Sequence, residues 1–316
     1  MALVWVIGSG GLLGGALISE LTQSEDTLYE PVTKFNWSNP SVANELIKQA
    51  ACQFCAQAAK GPWTIYWAAG TGTMHSTEQA LHEETSCLET LISSLLHDTS
   101  LNLNVGAFVF ASSAGAIYAG AQEEVITEST VPSPINAYGR EKLQQESLVN
   151  QLNKNGQGAS VISCRITTLY GFKSKDGKQQ GLIAQIVRKI LTNQVVHIYV
   201  PLETMRDYIT AKDAAKQMIN VALTLRKTSG IHIKIIASGI STSIAQILAI
   251  LKQICKRNLR VITQADEKSA QYQRVVQFKS EINTGAIEKN QNNLITGISE
   301  LFTEIQKDIA KHGIES

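Results

Sequence analysis

The chain is predicted to be an α/β protein: a Rossmann-type doubly wound parallel sheet with a smaller C-terminal subdomain. Three observations predict this. Short apolar runs alternate with longer stretches of helical period through the first half of the chain, the pattern of parallel strands joined by crossover helices. A glycine-rich segment falls at the first junction of strand and helix. The 316 residues, 44% hydrophobic and 17% charged, can bury one large core or two unequal ones.

Residues 3–7 are read as the first strand and 14–22 as the first helix. A second strand is expected over 28–35. The helix over 41–60 follows the opening signal Asn39-Pro40-Ser41, where proline occupies a first turn that does not need its N–H. Strand 63–69, helix 76–97, strand 105–111, helix 134–153 and strand 160–165 continue the alternation. Beyond Tyr170 the pattern gives a helix over 179–192, a short strand over 195–200, an amphipathic helix over 211–225 and a strand over 231–237 that completes the sheet. Helices at 243–256 and 295–311 flank a polar stretch, 264–293, with no core periodicity, and this tail reads as a small lid. The expected division is therefore a dinucleotide-binding domain over 1–170, completed by about 207–238, with 171–206 and 239–316 forming the smaller subdomain. No repeat of about 20 to 50 residues is present.

Composition narrows the function classes. Twenty-eight Lys and Arg against 27 Asp and Glu leave a formal charge of +1, without the basic excess that grips a nucleic acid backbone. The apolar stretch 2–18 has no basic residues before it and is broken by five glycines, so it is read neither as a signal peptide nor as a membrane span, and no other stretch reaches about 18 apolar residues. Five widely spaced cysteines suggest free thiols in a reducing compartment, so a soluble cytoplasmic protein is expected.

The segment Gly8-Ser9-Gly10-Gly11-Leu12-Leu13-Gly14 sits where a pyrophosphate can meet the N-terminus of a helix. Gly8 permits the tight turn, Gly11 the approach of backbone to phosphate, and Gly14 the packing of helix on strand. The plainer alternative is a glycine-rich turn without a ligand. A dinucleotide site that binds NAD through its ribose wants an acidic residue at the end of the second strand. This strand instead ends Thr33-Lys34-Phe35-Asn36. Lys34 is a cation where a 2′-phosphate would sit, so the cofactor is NAD or NADP with a slight lean to NADP.

Tyr138 and Lys142 are four residues apart on one helical face. A phenol of ordinary pKa, about 10, is a poor base at neutral pH, but a neighbouring ammonium favours its phenolate. Beside a nicotinamide, such a phenolate can take the proton of a substrate hydroxyl while hydride leaves for the ring. The strand over 105–111 delivers Ser112 and Ser113 at its carboxyl edge, where ligands of such sheets bind. Ser113 is favoured as the hydroxyl that bonds the reacting oxygen, with Ser112 as the alternative.

Six ordered segments now carry a resemblance: the glycine segment above; Ala68-Ala69-Gly70; Phe110-Ala111-Ser112-Ser113-Ala114-Gly115-Ala116-Ile117-Tyr118; Pro134 through Lys142; Arg165-Ile166-Thr167-Thr168-Leu169-Tyr170-Gly171; and Arg206-Asp207-Tyr208-Ile209 leading to Asp213. On these the chain resembles, over nearly its whole length, an extended short-chain dehydrogenase/reductase of the NAD-dependent epimerase/dehydratase family. The best-known members of that family act on nucleotide-activated sugars. The 25-residue spacing from Ser113 to Tyr138 is similar to that of UDP-galactose 4-epimerases and supports Ser113.

The resemblance implies pyrophosphate contacts along Gly8, Ser9, Gly10, Gly11, Leu12 and Leu13, and cofactor contacts at Ala68, Ala69 and Gly70. It also places Lys142 on the nicotinamide ribose and makes Tyr138 the acid/base. Arg206 matches an arginine that often holds a substrate diphosphate; its other reading is a salt bridge with Asp207 or Asp213. The smaller subdomain would bind the substrate. Two departures matter. Ser112-Ser113-Ala114 stands where family dehydratases generally carry Thr-Asp-Glu, so dehydration is disfavoured. The stretch from Thr33 to Trp37 looks more like the branch that reduces 4-keto sugars, with Asn36 where an adenine-contacting Asp is common.

Epimerisation and reduction of a nucleotide sugar both follow, beside reduction of a small carbonyl compound and a non-catalytic nucleotide sensor. The intact Ser113, Tyr138 and Lys142 set argues against a sensor. A homodimer is implied through the helices that carry residues 88–96 and 143–152, although their apolar residues read first as core. No metal is expected: His75, Glu78 and His82 share a helical face without His-Glu-x-x-His, and Cys52 and Cys55 have no second pair. The loops 172–181, 200–205 and 264–277, expected to set specificity, carry no readable motif.

Overall fold

A strand apolar at every position belongs inside a sheet covered on both faces, and LVWVI at the start of this chain is one. In the computed structural model, which describes residues 1–173, 181–264, 277–282 and 293–312, these residues form β1 (Leu3–Ile7). It is followed by α1 (Leu12–Leu21), β2 (Thr27–Tyr29), α2 (Pro40–Ala58), β3 (Trp63–Trp67), α3 (Glu78–His97), β4 (Gly106–Ser113), the short α4 (Ala114–Ile117), α5 (Ala137–Val149), β5 (Ser160–Ile166) and β6 (Gly230–Ile236). The six strands make one sheet in the order β2-β1-β3-β4-β5-β6, every neighbouring pair parallel. The chain runs from β1 outward to β2, then crosses back over β1 to β3. Between β1 and β3 the connections therefore diverge, and the carboxyl ends of such strands frame a crevice.

One face of this sheet is packed by large aromatics. Trp5, Trp63, Trp67, Phe108 and Phe110 are buried against Phe54 of α2 and Leu88, Leu91 and Leu95 of α3. The ring centroids of Trp5 and Phe54 are 5.3 Å apart, and those of Phe54 and Trp63 6.2 Å, within the range of favourable aromatic pairs. The apolar residues of α3 thus serve the core of the chain itself.

Several boundaries differ from expectation, and those of β2, β4 and α5 bear on the site. β2 has three residues, not eight. Pro31 has no N–H to give the ladder, so the strand stops at Tyr29 and residues 30–36 run as irregular chain. Lys34 and Asn36 consequently lie in an exposed loop beyond the strand, not at its end. β4 is longer than expected, because its pairing with β5 continues through Ser112↔Arg165 and Ser113↔Ile166. α5 begins at Ala137, where Asn136 caps it by accepting from Gly139 N at 2.9 Å.

The described chain divides into two units by contact. The first holds Met1–Ala121, Val131–Ile166 and Ala215–Ile236, and so contains the six-stranded sheet. The second holds Gln122–Thr130, Thr167–Ala214 and the described residues from Ala237 onward. Its three-stranded sheet sets Met205–Thr210 parallel to Thr168–Tyr170 and antiparallel to Ser241–Ser243. The helices Leu182–Leu191, Ile244–Cys255 and Leu294–His312 cover a core that includes Tyr170, Ile186, Tyr208, Ile247 and Leu301. Of the loops expected to set specificity, 174–180 and 265–276 lie outside the described residues, as does most of the polar stretch 264–293. No described helix is long and apolar enough to cross a membrane.

Candidate functional site

The glycine loop closes tightly on the end of β3. Gly8 has φ +89°, and a Cβ there would lie 2.5 Å from Ala69 N and 2.6 Å from the Ala68 carbonyl carbon. Gly8 O accepts from Gly11 N at 2.8 Å, which completes the turn. A Cβ on Gly14 would sit 2.1 Å from Gly8 O, so α1 reaches the loop only because that position is bare. Ala68 N in turn donates to Ile7 O at 2.9 Å. These contacts bring the segments 8–14 and 68–70 together at one corner of the sheet.

Gly11 is the N-cap of α1 and supplies no side-chain acceptor, and the first turn holds no acidic residue. The amides of that turn are therefore without a side-chain cap, and the dipole there favours an anion. Ser9 and Gly10 are exposed, Leu12 is half-buried and Leu13 is buried in the core. Asn36 uses its Oδ1 to accept from Ser38 N at 3.2 Å.

The serines at the end of β4 are distinguished by their partners. Ser112 is buried, and its hydroxyl donates to Glu146 Oε1 at 2.6 Å. Ser113 is half-buried at the N-cap of α4, but its hydroxyl is not used to cap that helix. Glu146 is further held by Arg165, whose Nε donates to Oε1 at 3.0 Å and Nη2 to Oε2 at 2.7 Å. Arg165 Nη1 donates to the Tyr118 hydroxyl. This bidentate pair, buried at both ends, ties α5 to β5 beneath the serines.

Tyr138 stands half-buried in the first turn of α5, and Lys142 follows one turn later at 5% exposure. The Lys142 ammonium lies 5.2 Å from the Phe110 ring centroid and 5.7 Å from that of Tyr138. It donates to Gln145 Oε1 at 2.9 Å and to Glu84 Oε1 at 3.2 Å. Burial pulls the Lys142 pKa down, but the opposing charges of Tyr138, Glu84 and Glu146 outweigh it and hold the ammonium above its ordinary range. The lysine is a permanently charged, buried neighbour of the phenol at any physiological pH.

Glu84, Gln145 and Glu146 escaped the sequence reading. A signal existed for Glu84: it falls three residues after Leu81 and four before Leu88, a lone acid on the core-facing stripe of α3. Gln145 and Glu146 are likewise polar residues at buried positions of α5.

Other expected features fall elsewhere. His75 precedes the first residue of α3, which Thr77 caps, so it does not share a helical face with Glu78 and His82. Among the described residues no group of three or more His, Cys, Asp or Glu could hold a metal ion. Cys52 is exposed and Cys55 buried, both as free thiols. Burial, reinforced by the nearby Asp98 carboxylate, pushes the Cys55 thiol up to about 12, so it carries no reactive thiolate. In the second unit Arg206 is half-buried, and its Nη1 donates to Met205 O at 2.8 Å. Of the neighbouring acids, Asp207 accepts from Thr167 Oγ1, Ser238 N and Gly239 N, and Asp213 from Thr210 Oγ1.

Comparison with known proteins gives a consistent setting. A model of the NAD dependent epimerase/dehydratase family matches residues 4–237. The chain is 27% identical over 225 residues to dTDP-4-dehydro-6-deoxyglucose reductase of Escherichia coli, covering 66% of this chain and 69% of that one. Its fold matches the crystal structure of a UDP-glucose 4-epimerase from Thermotoga maritima with UDP-glucose, at a TM-score of 0.76 and 16% identity over 98% of this chain and 100% of that one. It also matches RMD from Pseudomonas aeruginosa complexed with NADPH, at a TM-score of 0.75 and 17% identity over 97% and 100%. At such identities the two structural matches speak for the fold alone.

Proposed function

We propose, because this chain belongs to the NAD-dependent epimerase/dehydratase family and is an enzyme of the extended short-chain dehydrogenase/reductase type, that it transfers hydride at a carbinol or ketone of a nucleotide-activated sugar with Tyr138 as acid/base. The observation that carries this reading is the buried Lys142 ammonium one helical turn from Tyr138, on a helix packed beside the carboxyl end of β4.

The residues at this corner of the sheet fit a dinucleotide. The bare positions Gly8 and Gly14 keep the loop pressed on its neighbours, and the uncapped first turn of α1 suits a pyrophosphate. Gly8, Ser9, Gly10, Gly11, Leu12, Leu13 and Gly14 would hold that group, with Ala68, Ala69 and Gly70 alongside. The nicotinamide, when bound, accepts or returns the hydride at the sugar carbon. Tyr138 takes the hydroxyl proton of the sugar on oxidation and gives it back on reduction, and Lys142 stabilises the negative charge left on the phenol oxygen. Ser113 donates to the same substrate oxygen, because Ser112 spends its hydroxyl on Glu146. Arg206 is assigned to the diphosphate, and the second unit to substrate binding. The cofactor is read as NAD or NADP, and the lean to NADP is slight, because the Lys34 cation lies in the exposed loop after β2 and not at the strand's end.

Epimerisation, with the hydride returned to the opposite face of the sugar, is the first reading. The match to the Escherichia coli reductase favours a second, NADPH-dependent reduction of a 4-keto sugar nucleotide. Tyr138→Phe tests what both share. The variant is expected to bind NADPH with unchanged affinity, NADH being titrated alongside to read cofactor preference, and to lose turnover by about 10²- to 10⁴-fold. Turnover retained with both UDP-glucose and a 4-keto sugar nucleotide would remove Tyr138 from the mechanism.

A further inference from the structure

Glu84 has no part in the proton transfer just described, yet its carboxylate is nearly buried, at 12% side-chain exposure, and its two oxygens face different parts of the site. Oε1 accepts from Lys142 Nζ at 3.2 Å. Oε2 accepts from Thr71 N at 3.1 Å and Gly72 N at 3.0 Å, in the loop directly after Gly70. That loop lies against the carboxylate and the phenol together: a Cβ on Gly70 would meet Glu84 Oε1 at 2.5 Å, and one on Gly72 would come within 3.4 Å of Tyr138 Cε2. We propose that Glu84 is a positioning residue that straps the loop over residues 70–72 to Lys142 and, by sharing the ammonium with Tyr138, sets the pH range in which the enzyme turns over.

A carboxylate fixed by two backbone amides cannot swing away, so the ammonium divides its field between Glu84 and the phenol oxygen. Glu84 therefore keeps Lys142 charged in a buried place and at the same time opposes negative charge on Tyr138. The other charged groups facing Lys142 are Tyr138 and Glu146 of α5, and Arg165 of β5 occupies Glu146 as a bidentate pair. From β4 the lysine meets the uncharged Phe110 ring, and Gln145 takes a further N–H. Glu84 is thus the acid bonded directly to the ammonium, and its charge is the one whose removal the phenol should feel.

The inference rests on the assignment of Tyr138 and Lys142 above, and the test separates the two. Glu84→Gln keeps a carbonyl oxygen for the loop amides and loses the charge. In the cofactor-free protein, tyrosinate absorbance of Tyr138, read as the difference from Tyr138→Phe, is expected to appear about one pH unit lower in Glu84→Gln than in the parent. Both limbs of the kcat/KM profile should move to lower pH with it, because Lys142 also loses its counter-ion. A merely structural strap would raise the cofactor Kd or lower the Tm and leave midpoint and profile in place, which overturns the proposal. If Glu84→Gln does not fold, Glu84→Asp carries the test: its charge is drawn back, a smaller shift in the same direction is expected, and an unmoved midpoint overturns the idea. An active Tyr138→Phe would instead sink the underlying mechanism, whatever Glu84 does.

Discussion

At the scale of single residues, two adjacent serines illustrate how partners decide roles. The Ser112 hydroxyl is given to a buried carboxylate, whereas Ser113 leaves its hydroxyl out of the helix cap beside it. Ser112→Ala should therefore cost stability, about 1 to 3 kcal/mol, because Glu146 loses a buried donor. Ser113→Ala should leave the melting temperature unchanged and lower kcat by about 10²-fold. Melting curves and steady-state rates for the pair check this, and the reverse pattern would exchange their roles. The residues proposed for the chemistry could be picked out in the sequence, Tyr138 and Lys142 by their spacing on one helical face and the two serines by their place at a strand edge, with Ser113 preferred to Ser112 through the family resemblance. Glu84 showed only as a lone acid on a core-facing stripe, because its partner is a lysine 58 residues away that only the folded chain brings to it.

Elements were legible where one periodicity ran uninterrupted, and less so where a single backbone feature intervened. The first strand matches expectation residue for residue, as does the helix Ala211–Leu225. The second strand failed at Pro31, whose missing N–H overrode a run of acceptable strand residues. The strands Thr168–Tyr170 and Met205–Thr210 were seen as motifs and not as strands: the first has only three residues, and the six of the second do not alternate apolar with polar. The glycine loop is the element to which cofactor binding is assigned in the proposal above. In Gly14→Val the new side chain would collide with the Gly8 carbonyl, 2.1 Å from its Cβ, and force α1 away from the turn. Calorimetric titration should find NADPH affinity at least about 100-fold weaker, while affinity near that of the parent would dissociate the loop from the cofactor.

At the largest scale, burial acts in one direction on the phenols and thiols of the described residues whose titration it shifts. Burial raises the phenols of Tyr66 in the first unit and Tyr170 in the second above their usual 10.0, and raises the Cys164 thiol above 9.0. A raised pKa means that the folded chain keeps a proton the unfolded chain gives up. The stability so gained is complete below the unfolded values and is lost as pH climbs past them. Calorimetric scans should show a melting temperature that holds through neutrality and declines from about pH 9 upward. A flat response to pH 11 would mean that these groups are solvated. The two-unit division itself left only a coarse trace in the sequence, since the segments that make the second unit are interleaved with those of the first.

The outer strands of the large sheet bear on how this chain behaves at high concentration. On one flank β2 offers only three residues before Pro31 ends it, too little backbone for a foreign strand to zip onto. The other flank, β6, is seven residues long, but it turns Lys234 inward, a charge that an intermolecular ladder would have to accommodate. Both rims are thus poor templates for fibrous assembly, and the chain is expected to stay dispersed in spite of the apolar strands between them.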